Sequence, residues 1–260
     1  RVVVDECTQA CEPAALVALG RGCEQAVLIG DHKQLPATVL SKLAQRDGLG
    51  LSLFERLVES GVEPTVLQEQ RRMHSSIAEF PNTEFYASQL VNAVDDGTLA
   101  PVPGFPWPNP DCRVCFVDVS GPGEAAEGRR GFSAFNAWEA AAVAGVVRRL
   151  LEAGVAPQEL CVLTAYVAQR QELLRAMQEE GLRRHLPQLS VDTVDGYQGM
   201  ERDLVLFSAT RSNANRTLGF LSDARRMNVM LTRARRGLIV FGNGETLRYG
   251  SGADSRWQSW

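Results

Sequence analysis

Lysine is almost missing from this chain of 260 residues. The sequence contains 27 basic residues, and all of them except Lys33 and Lys42 are arginines. Neither lysine follows a glycine or precedes a serine or threonine, so the phosphate-binding loop G-x-x-x-x-G-K-[ST] does not occur in the chain. The excess of arginine is typical of phosphate recognition, because a guanidinium donates two parallel hydrogen bonds. A compositional bias of the whole genome would produce the same excess.

Long apolar runs are also absent. The chain contains no run of 18 apolar residues and no basic segment followed by an apolar one, so we expect no transmembrane helix, secretory signal or membrane partner. The net charge of −4 excludes a general attraction to nucleic acid but is compatible with a local basic groove. The six cysteines lie mostly in or beside apolar runs, which favours buried free thiols and an intracellular protein of the nucleus or cytoplasm.

One pair of cysteines, Cys112 and Cys115, has the spacing of metal ligands. A zinc site needs two further ligands, and no second cysteine pair or histidine cluster lies nearby in the sequence. The pair lies in the apolar segment 113–119, which has the length and composition of a strand. Packing in the core is therefore the favoured interpretation.

Short apolar runs alternate with helical patterns along the chain. Such alternation predicts an α/β fold with parallel sheets and helices on both faces. A helix over 133–153 is predicted to begin at the N-cap Ser133 and to end at Gly154, and the glycine-rich segment 121–131 is predicted to be a mobile loop. Strands are predicted at 2–4, 26–29, 113–119, 160–163, 191–194, 204–207 and 238–241, and further helices at 51–60, 167–180 and 222–235.

Polar clusters follow the first two predicted strands. Asp5 and Glu6 come directly after the first strand, at the kind of strand end where ligands of parallel α/β sheets gather. Such carboxylates can hold Mg²⁺ and accept a proton from an attacking water. Gln34 follows the second strand, and its amide both donates and accepts hydrogen bonds, as contact with a γ-phosphate or a water requires. Taken alone, each cluster is also compatible with a solvated turn.

Three further clusters lie at 68–74, 192–201 and 225–235. In the last of them, Met227, Met230 and Leu231 recur at helical spacing and indicate a stripe packed in the core. Arg226 and Arg233 are seven residues apart and are predicted to share one face of that helix. Arg225, Arg226, Arg235 and Arg236 could line a nucleic-acid path, cap a helix end or pair with acids.

In chain order, the five clusters resemble motifs II, III, IV, V and VI of the superfamily 1 helicases. The branch of that superfamily is the one that contains the nonsense-mediated-decay helicase and senataxin-like proteins. The resemblance covers roughly residues 2–247. The segments that carry it are Asp5-Glu6-Cys7-Thr8-Gln9-Ala10, Gly30-Asp31-His32-Lys33-Gln34-Leu35-Pro36, Gln70-Arg71-Arg72-Met73-His74, Val194-Asp195-Gly196-Tyr197-Gln198-Gly199-Met200-Glu201 and Arg225-Arg226-Met227-Asn228-Val229-Met230-Leu231-Thr232-Arg233-Ala234-Arg235.

The resemblance implies the RecA-like fold of P-loop NTPase helicases, with ATP in the cleft between two domains and single-stranded RNA or DNA across both. Residues 1–62 would be the C-terminal part of an incomplete first domain, 63–247 the second domain and 248–260 a truncated tail. The P-loop, with the missing N-terminal half of the helicase core, is expected upstream of Arg1. We therefore expect this chain alone to bind nucleotide weakly and to turn over essentially no ATP.

The resemblance also implies roles for individual residues, with ATP and Mg²⁺ as the cofactors. Asp5 would hold Mg²⁺, Glu6 would be the general base and Gln34 would sense the γ-phosphate. Arg72 and Arg233 would be arginine fingers, and Glu201 would contact the ribose. The expected nucleotide-binding residues are Gln9, Gln70, Gln198, Gly199 and Glu201, where Gln9 links motif II to domain closure.

Two features depart from the family pattern. Arg71 stands where motif IV usually has a tyrosine, and residues 193–197 make the register of motif V less regular. The leading hypothesis is an ATP-dependent helicase or translocase, for which the resemblance suggests 5′→3′ movement. A non-catalytic nucleic-acid-binding or scaffolding module that kept the helicase fold is the alternative. An ATPase that remodels protein complexes would share the chemistry but not the substrate.

Overall fold

The chain forms two compact units in the computed structural model, which describes residues 1–120, 127–252 and 255–260. The first unit is Arg1–Leu67 and the second is Gln68–Trp260, whereas the sequence places the division after residue 62. The glycine-rich loop predicted at 121–131 lies outside the described residues over 121–126. Its last part, Gly128–Arg130, is a strand rather than a loop.

The first unit contains a pair of parallel strands and three helices. Val3 of the first strand lies opposite Val27 of the second, so both strands end at the same edge. Ser41 and Ser52 cap the second and third helices by accepting hydrogen bonds from the amides of Ala44 and Glu55. The elements are β1 (Val2–Val4), β2 (Ala26–Leu28), α1 (Glu12–Leu19), α2 (Lys42–Arg46) and α3 (Leu53–Glu59).

The second unit is built on a parallel sheet. Its strand order is β5-β11-β10-β8-β9, and two short pairs, β3–β4 and β6–β7, lie outside it. The apolar runs predicted as strands form this sheet, because strands buried on both faces need no polar alternation. The ranges are β3 (Glu69–Gln70), β4 (Val91–Asn92), β5 (Val114–Asp118), β6 (Gly128–Arg130), β7 (Ser133–Phe135), β8 (Leu160–Thr164), β9 (Ser190–Thr193), β10 (Arg202–Ser208) and β11 (Ala234–Gly242).

Helices cover both faces of this sheet. Leu206 of β10 belongs to the apolar core formed with α5 and α6, while its neighbour Phe207 points to the other face and stacks on Trp257. Met227 and Met230 of α7 line the space beside Phe207, so the predicted apolar stripe does pack in the core. The helices are α4 (Ser75–Tyr86), α5 (Ala137–Glu152), α6 (Val167–Glu179), α7 (Ala224–Leu231) and α8 (Gly244–Tyr249).

The predicted start of α5 at Ser133 is wrong. Residues 133–135 form β7 and pair antiparallel with β6, and α5 begins only after Asn136, whose side chain accepts a hydrogen bond from the Glu139 amide. The hydroxyl of Ser133 instead accepts a 3.0 Å hydrogen bond from the amide of Ala168 in the first turn of α6. Serine and asparagine are both good N-cap residues, so residue type alone does not choose between 133 and 136.

Ser133 therefore caps a helix to which it does not belong. We expect Ser133→Ala to lower the free energy of unfolding by about 1 kcal/mol, the usual cost of a lost cap. Ser133→Thr keeps the hydroxyl and should retain most of the stability. Urea unfolding of the three proteins tests this, and equal midpoints for Ser133→Ala and the wild type would show that the hydrogen bond contributes nothing.

The helix predicted over 222–235 is too long. Helix α7 begins after Asp223, which accepts hydrogen bonds from the amides of Arg225 and Arg226, and it ends at Leu231. Arg233 follows the helix and Arg235 lies in β11, so the prediction that Arg226 and Arg233 share a helical face is also wrong. Sequence patterns rarely fix such an end, because the residues around it are compatible with both states.

The cysteines and the lengths of the helices bear on metal and membrane binding. Cys115 lies in β5 and Cys112 just before it, and all six cysteines are free thiols, of which Cys7 and Cys161 are buried. Across 1–120, 127–252 and 255–260, no three His, Cys, Asp or Glu side chains form a group that could hold a metal ion. In the same residues, no helix has the length and apolar character needed to cross a bilayer.

Candidate functional site

The first two polar clusters lie together at the carboxyl edge of the β1–β2 pair. The amide of Cys7 donates to the carbonyl of Ile29 at 2.9 Å, and the hydroxyl of Thr8 donates to the carbonyl of Asp31 at 3.3 Å. The two turns are therefore joined by hydrogen bonds beyond the ends of the strands. Gly30 permits this approach, because a Cβ there would lie 3.1 Å from the Thr8 nitrogen.

Asp5 and Glu6 form an exposed pair of carboxylates on the first of these turns. Glu6 has a left-handed backbone, with φ of +49°, and its amide donates to Asp5 Oδ1 at 2.9 Å. Gln9 Nε2 donates to Glu6 Oε2, also at 2.9 Å, so Gln9 orients the carboxylate predicted to be the base. Carboxylate oxygens beside open solvent suit Mg²⁺, which usually keeps several waters and takes only one or two protein carboxylates.

Gln34 lies on the second turn, where Asp31 holds it. Its Nε2 donates to Asp31 Oδ2 at 2.9 Å, and the amide of Lys33 donates to Asp31 Oδ1 at the same distance. Asp31 was not among the predicted site residues, although it shapes the loop that carries one of them. An aspartate that accepts from the backbone two residues on is a common turn signal, and this signal was available in the sequence.

In the second unit, Gln70 organises the loop between β3 and α4. Its Oε1 accepts from the amides of Arg72 and Met73 at 3.0 and 2.8 Å, and its Nε2 donates to the Met73 carbonyl and to Asn92 Oδ1, both at 2.8 Å. All the hydrogen-bonding groups of the Gln70 amide are thus directed to the protein. Gln70 was predicted to bind nucleotide, but in this structure it stabilises the loop that carries Arg72.

Three segments far apart in sequence meet beside this loop. Arg72 forms an ion pair with Glu201 through Nε, and its Nη1 donates to the carbonyl of Thr232 at 3.0 Å. The side chains of Arg72 and Glu201 are 31% and 41% exposed, so this pair is open to a ligand. The structure therefore brings together residues from the segments that resemble motifs IV, V and VI.

Arg233 reaches the same place but is buried. Its Nε donates to the Val229 carbonyl at 2.9 Å, Nη1 to the Met200 carbonyl at 3.3 Å and Nη2 to the Thr232 hydroxyl at 2.9 Å. Its guanidinium ties the end of α7 to the residue before Glu201. Arg233 and Arg72 therefore both bind residues 229–232, Arg233 through a buried guanidinium and Arg72 through a partly exposed one.

The two other predicted nucleotide-binding residues lie just before Glu201. Gln198 Nε2 is buried and has no hydrogen-bond acceptor among the described residues. Gly199 has a positive φ of 77°, which favours glycine, and a Cβ there would meet nothing within 4 Å. Gln198 thus carries an unused donor, which is unusual for a buried amide and typical of a site that takes a ligand or a water.

Arg226 and Arg236 both pair with acids. Arg226 binds Asp195 through two hydrogen bonds of 2.8 and 3.1 Å and also reaches Asp223 at 3.2 Å. Arg236 pairs with Asp203 at 3.2 Å. Of the alternatives left open by the sequence, pairing with acids is the one the structure shows for both residues. Asp195 was not predicted as a partner, because nothing local in the sequence indicates a contact across 31 positions.

A buried glutamate lies at the carboxyl end of β10. Glu139 of α5 is fully buried, and its Oε1 accepts from the Ser208 hydroxyl and from the Thr210 amide at 2.8 Å. Thr210 has a positive φ of 71°, so this bond holds a strained residue. Burial raises the pKa of Glu139 to about 8, against the opposing effect of the two hydrogen bonds.

The protonation of Glu139 should make stability depend on pH. Between the ordinary carboxyl pKa of 4.5 and about 8, the folded protein holds one more proton than the unfolded chain, so the free energy of unfolding falls as the pH rises. The slope is up to about 1.4 kcal/mol per pH unit. From pH about 6 to about 8, we expect the wild type to lose about 2 kcal/mol more than Glu139→Gln.

Urea unfolding of both proteins at several pH values measures this difference. Glu152→Gln, on the exposed end of the same helix, is the matched control and should follow the wild type. Parallel curves for the wild type and Glu139→Gln would contradict the assignment of a neutral buried carboxyl.

The sequence of this chain matches two profiles of known protein families. A family profile described as an AAA domain matches residues 49–245, and a second profile of the same description matches residues 1–42. The first match alone covers most of the chain. The chain belongs to the AAA-domain family.

Curated relatives of this AAA-domain chain confirm the resemblance to superfamily 1 helicases. A "Regulator of nonsense transcripts 1 homolog" is 42% identical in both Neurospora crassa and Arabidopsis thaliana, and "ATP-dependent helicase NAM7" of Saccharomyces cerevisiae is 39% identical. Each comparison covers 95% of this chain. The chain spans 23%, 20% and 25% of these relatives, and so about a quarter of their length or less.

The fold of this AAA-domain chain is also found in a solved structure. The structure of the PRRSV helicase superposes with a TM-score of 0.51 at 15% sequence identity, and the match covers 98% of this chain and 37% of that one. At this identity the similarity concerns the fold alone. It confirms the predicted RecA-like α/β class, with a parallel sheet covered by helices on both faces.

Proposed function

We propose that this chain is part of an ATP-dependent helicase or translocase that couples ATP hydrolysis to movement on single-stranded RNA or DNA. The observation that carries the proposal is the meeting of Arg72, Glu201 and Arg233 around Thr232. This site combines two arginines with an exposed acid, and the loop before Glu201 carries the unused buried amide donor of Gln198. Such a combination suits a nucleoside triphosphate. The 39–42% identity to relatives that include a named ATP-dependent helicase supports the same chemistry.

The carboxylates of the first unit would prepare the attacking water. ATP bound with Mg²⁺ supplies the phosphoanhydride bond that is cleaved. We propose that Asp5 holds the metal through its exposed carboxylate and that Glu6, oriented by Gln9, accepts the proton of the water. Gln34, fixed by Asp31, would contact the γ-phosphate or the water through its amide.

The arginines of the second unit would neutralise the charge that develops during phosphoryl transfer. Arg72 is partly exposed and already oriented by Glu201, so little rotamer freedom remains to be lost in the transition state. We propose that Arg72 and Arg233 act on the phosphates, that Glu201 binds the ribose, and that Gln198 and Gly199 line the nucleotide path. For Gln70 we propose an indirect role, since its amide is used to hold the Arg72 loop.

Steady-state ATP hydrolysis by the full-length protein, with and without a single-stranded oligonucleotide, tests this function. We expect stimulation by the strand, separation of a duplex with a 5′ overhang, and no turnover by the 260-residue chain alone, because it has no P-loop. Strand binding without turnover would favour a non-catalytic module. Turnover that no strand stimulates would favour an ATPase that remodels protein complexes. Separately, translation of the sequence upstream of Arg1 shows whether a P-loop is encoded.

A further inference from the structure

The antiparallel pair β6–β7 presents an aromatic ring to solvent. We call residues Gly128–Phe135 the basic hairpin. Gly131 and Phe132 form its two-residue turn, and Gly131 has the positive φ, 59°, that such turns need at their first central position. Phe132 is fully exposed at the tip. Because the ring is held away from the protein by a tight turn, its faces are accessible, and an aromatic face can stack on a flat partner.

The base of the basic hairpin is firmly attached. Ser133 accepts the 3.0 Å hydrogen bond from Ala168 of α6, and the amide of Glu127 donates to the Ser212 carbonyl at 3.1 Å. The Arg130 guanidinium lies 4.4 Å from the centre of the Phe135 ring. The tip is therefore presented in a defined orientation, which lowers the entropy lost when a partner binds.

The charge around the basic hairpin is positive. Glu127 forms ion pairs with Arg211 at 2.7 Å and with Arg129 at 3.8 Å. The side chains of Glu127 and Arg211 are both almost fully buried. Glu172, also buried, binds Arg130 and Arg175. Each buried glutamate thus has two arginines, and with Glu179, which also binds Arg175, the cluster of four arginines and three glutamates carries a net charge of +1. The contact of Arg175 with Glu179 is 2.7 Å long, and Glu179 lies one turn further along α6.

The basic hairpin, with its positive charge, lies at one edge of the parallel sheet. Ala168 lies in the first turn of the helix that follows β8, and Ser212 lies just after β10. Both contacts therefore place the base of the hairpin at the carboxyl edge of the parallel strands, where α/β proteins bind their ligands. An exposed aromatic ring beside excess arginine at this edge is the combination that binds single strands, through stacking and phosphate contact.

We propose that the basic hairpin is an additional binding site for single-stranded nucleic acid, in which Phe132 stacks on a base and Arg129 contacts a phosphate. The proposal rests on the proposed function, because it assumes that the protein binds a single strand. Arg129 is the suitable donor, since its side chain is 59% exposed and Glu127 retains Arg211 when Arg129 turns to a phosphate.

The test is the binding of a short fluorescein-labelled oligouridylate to the full-length protein, followed by fluorescence anisotropy at several salt concentrations. We expect Phe132→Ala and Phe132→Leu to raise the Kd about tenfold, whereas Phe132→Trp keeps a stacking ring and stays near the wild type. Arg129→Gln should lower the dependence of log Kd on log salt by about 0.7, the value for one phosphate contact to a single strand. Arg148→Gln, an exposed arginine of α5, is the matched control and should change neither value.

Two results would overturn the proposal in different ways. If the wild type binds the oligonucleotide and Phe132→Ala binds it equally well, the basic hairpin is not a nucleic-acid site and the proposed function stands. If the wild type does not bind the oligonucleotide at all, the nucleic-acid part of the proposed function fails, and the hairpin proposal fails with it.

Discussion

Replacing Arg72 by glutamine is expected to lower kcat for ATP hydrolysis by the full-length protein by about 10³-fold or more, the usual effect of removing an arginine finger. The guanidinium of Arg72 is partly exposed, and Gln70 and Glu201 fix its loop and its orientation. A group held in this way stabilises developing phosphate charge without reorganising during the reaction. Glutamine keeps a polar side chain of similar reach but removes the charge and the forked donors.

The adjacent Arg71 provides a matched control for this experiment. Its side chain is 74% exposed and pairs only with Glu69 among the ion pairs of the described chain. Arg71→Gln changes the net charge by the same amount in the same loop, and kcat should stay within about twofold of the wild type because exposed pairs contribute little. Equal kcat values for Arg72→Gln and Arg71→Gln would remove Arg72 from the catalytic residues.

Arg72 is a cleaner probe than Arg233. The guanidinium of Arg233 is buried and donates to Val229, Met200 and Thr232, so its removal leaves buried acceptors unpaired. Such a loss lowers stability as well as activity. The thermal midpoint of Arg72→Gln should therefore stay close to that of the wild type, while that of Arg233→Gln should fall.

Glu6→Gln is expected to lower kcat by about 10²–10⁴-fold, the usual contribution of general base catalysis. The neutral amide cannot accept the proton of the attacking water. It retains an oxygen that can accept from Gln9 Nε2, so the turn should keep its shape. ATP binding should persist, because Glu6 is proposed to act on the water rather than on the nucleotide.

Two measurements separate this chemical effect from a general loss of structure. Nucleotide affinity, measured by a fluorescent ATP analogue, should change by less than about threefold in Glu6→Gln. Glu24→Gln replaces another exposed glutamate of the same unit and should hydrolyse ATP like the wild type. Full activity of Glu6→Gln would mean that another group accepts the proton.

The fold class was predictable because the strands of the main sheet are buried on both faces. Runs such as Leu160–Leu163 and Leu204–Phe207 are continuous apolar stretches, and each became a strand in the parallel sheet. Element ends were less predictable. Ser133 and Asn136 are equally suitable caps, and the choice between them follows from the contact of Ser133 with α6, which is 35 positions away.

The contacts of the candidate site were likewise predictable only where they are local in the sequence. The motifs identified which side chains to examine, and their catalytic roles stay predictions. The brace formed by Gln70 with Asn92, and the pairing of Arg226 with Asp195, depend on residues that only the folded chain brings together. Asp31 is the exception, because it accepts hydrogen bonds from Lys33 and Gln34, which are only two and three positions further along the chain.

The order of strands in the second unit has a consequence for synthesis of the protein. β11 is the last strand of the sheet to be made, yet it lies in the interior, between β10 and β5, and Ile239 pairs with Cys115. Until this segment has emerged from the ribosome, β5 cannot join the other strands and β10 has an open edge that can pair with other chains. A message truncated before the codon for Ala234 would therefore yield a nascent chain that chaperones and proteases recognise, however complete its earlier helices are.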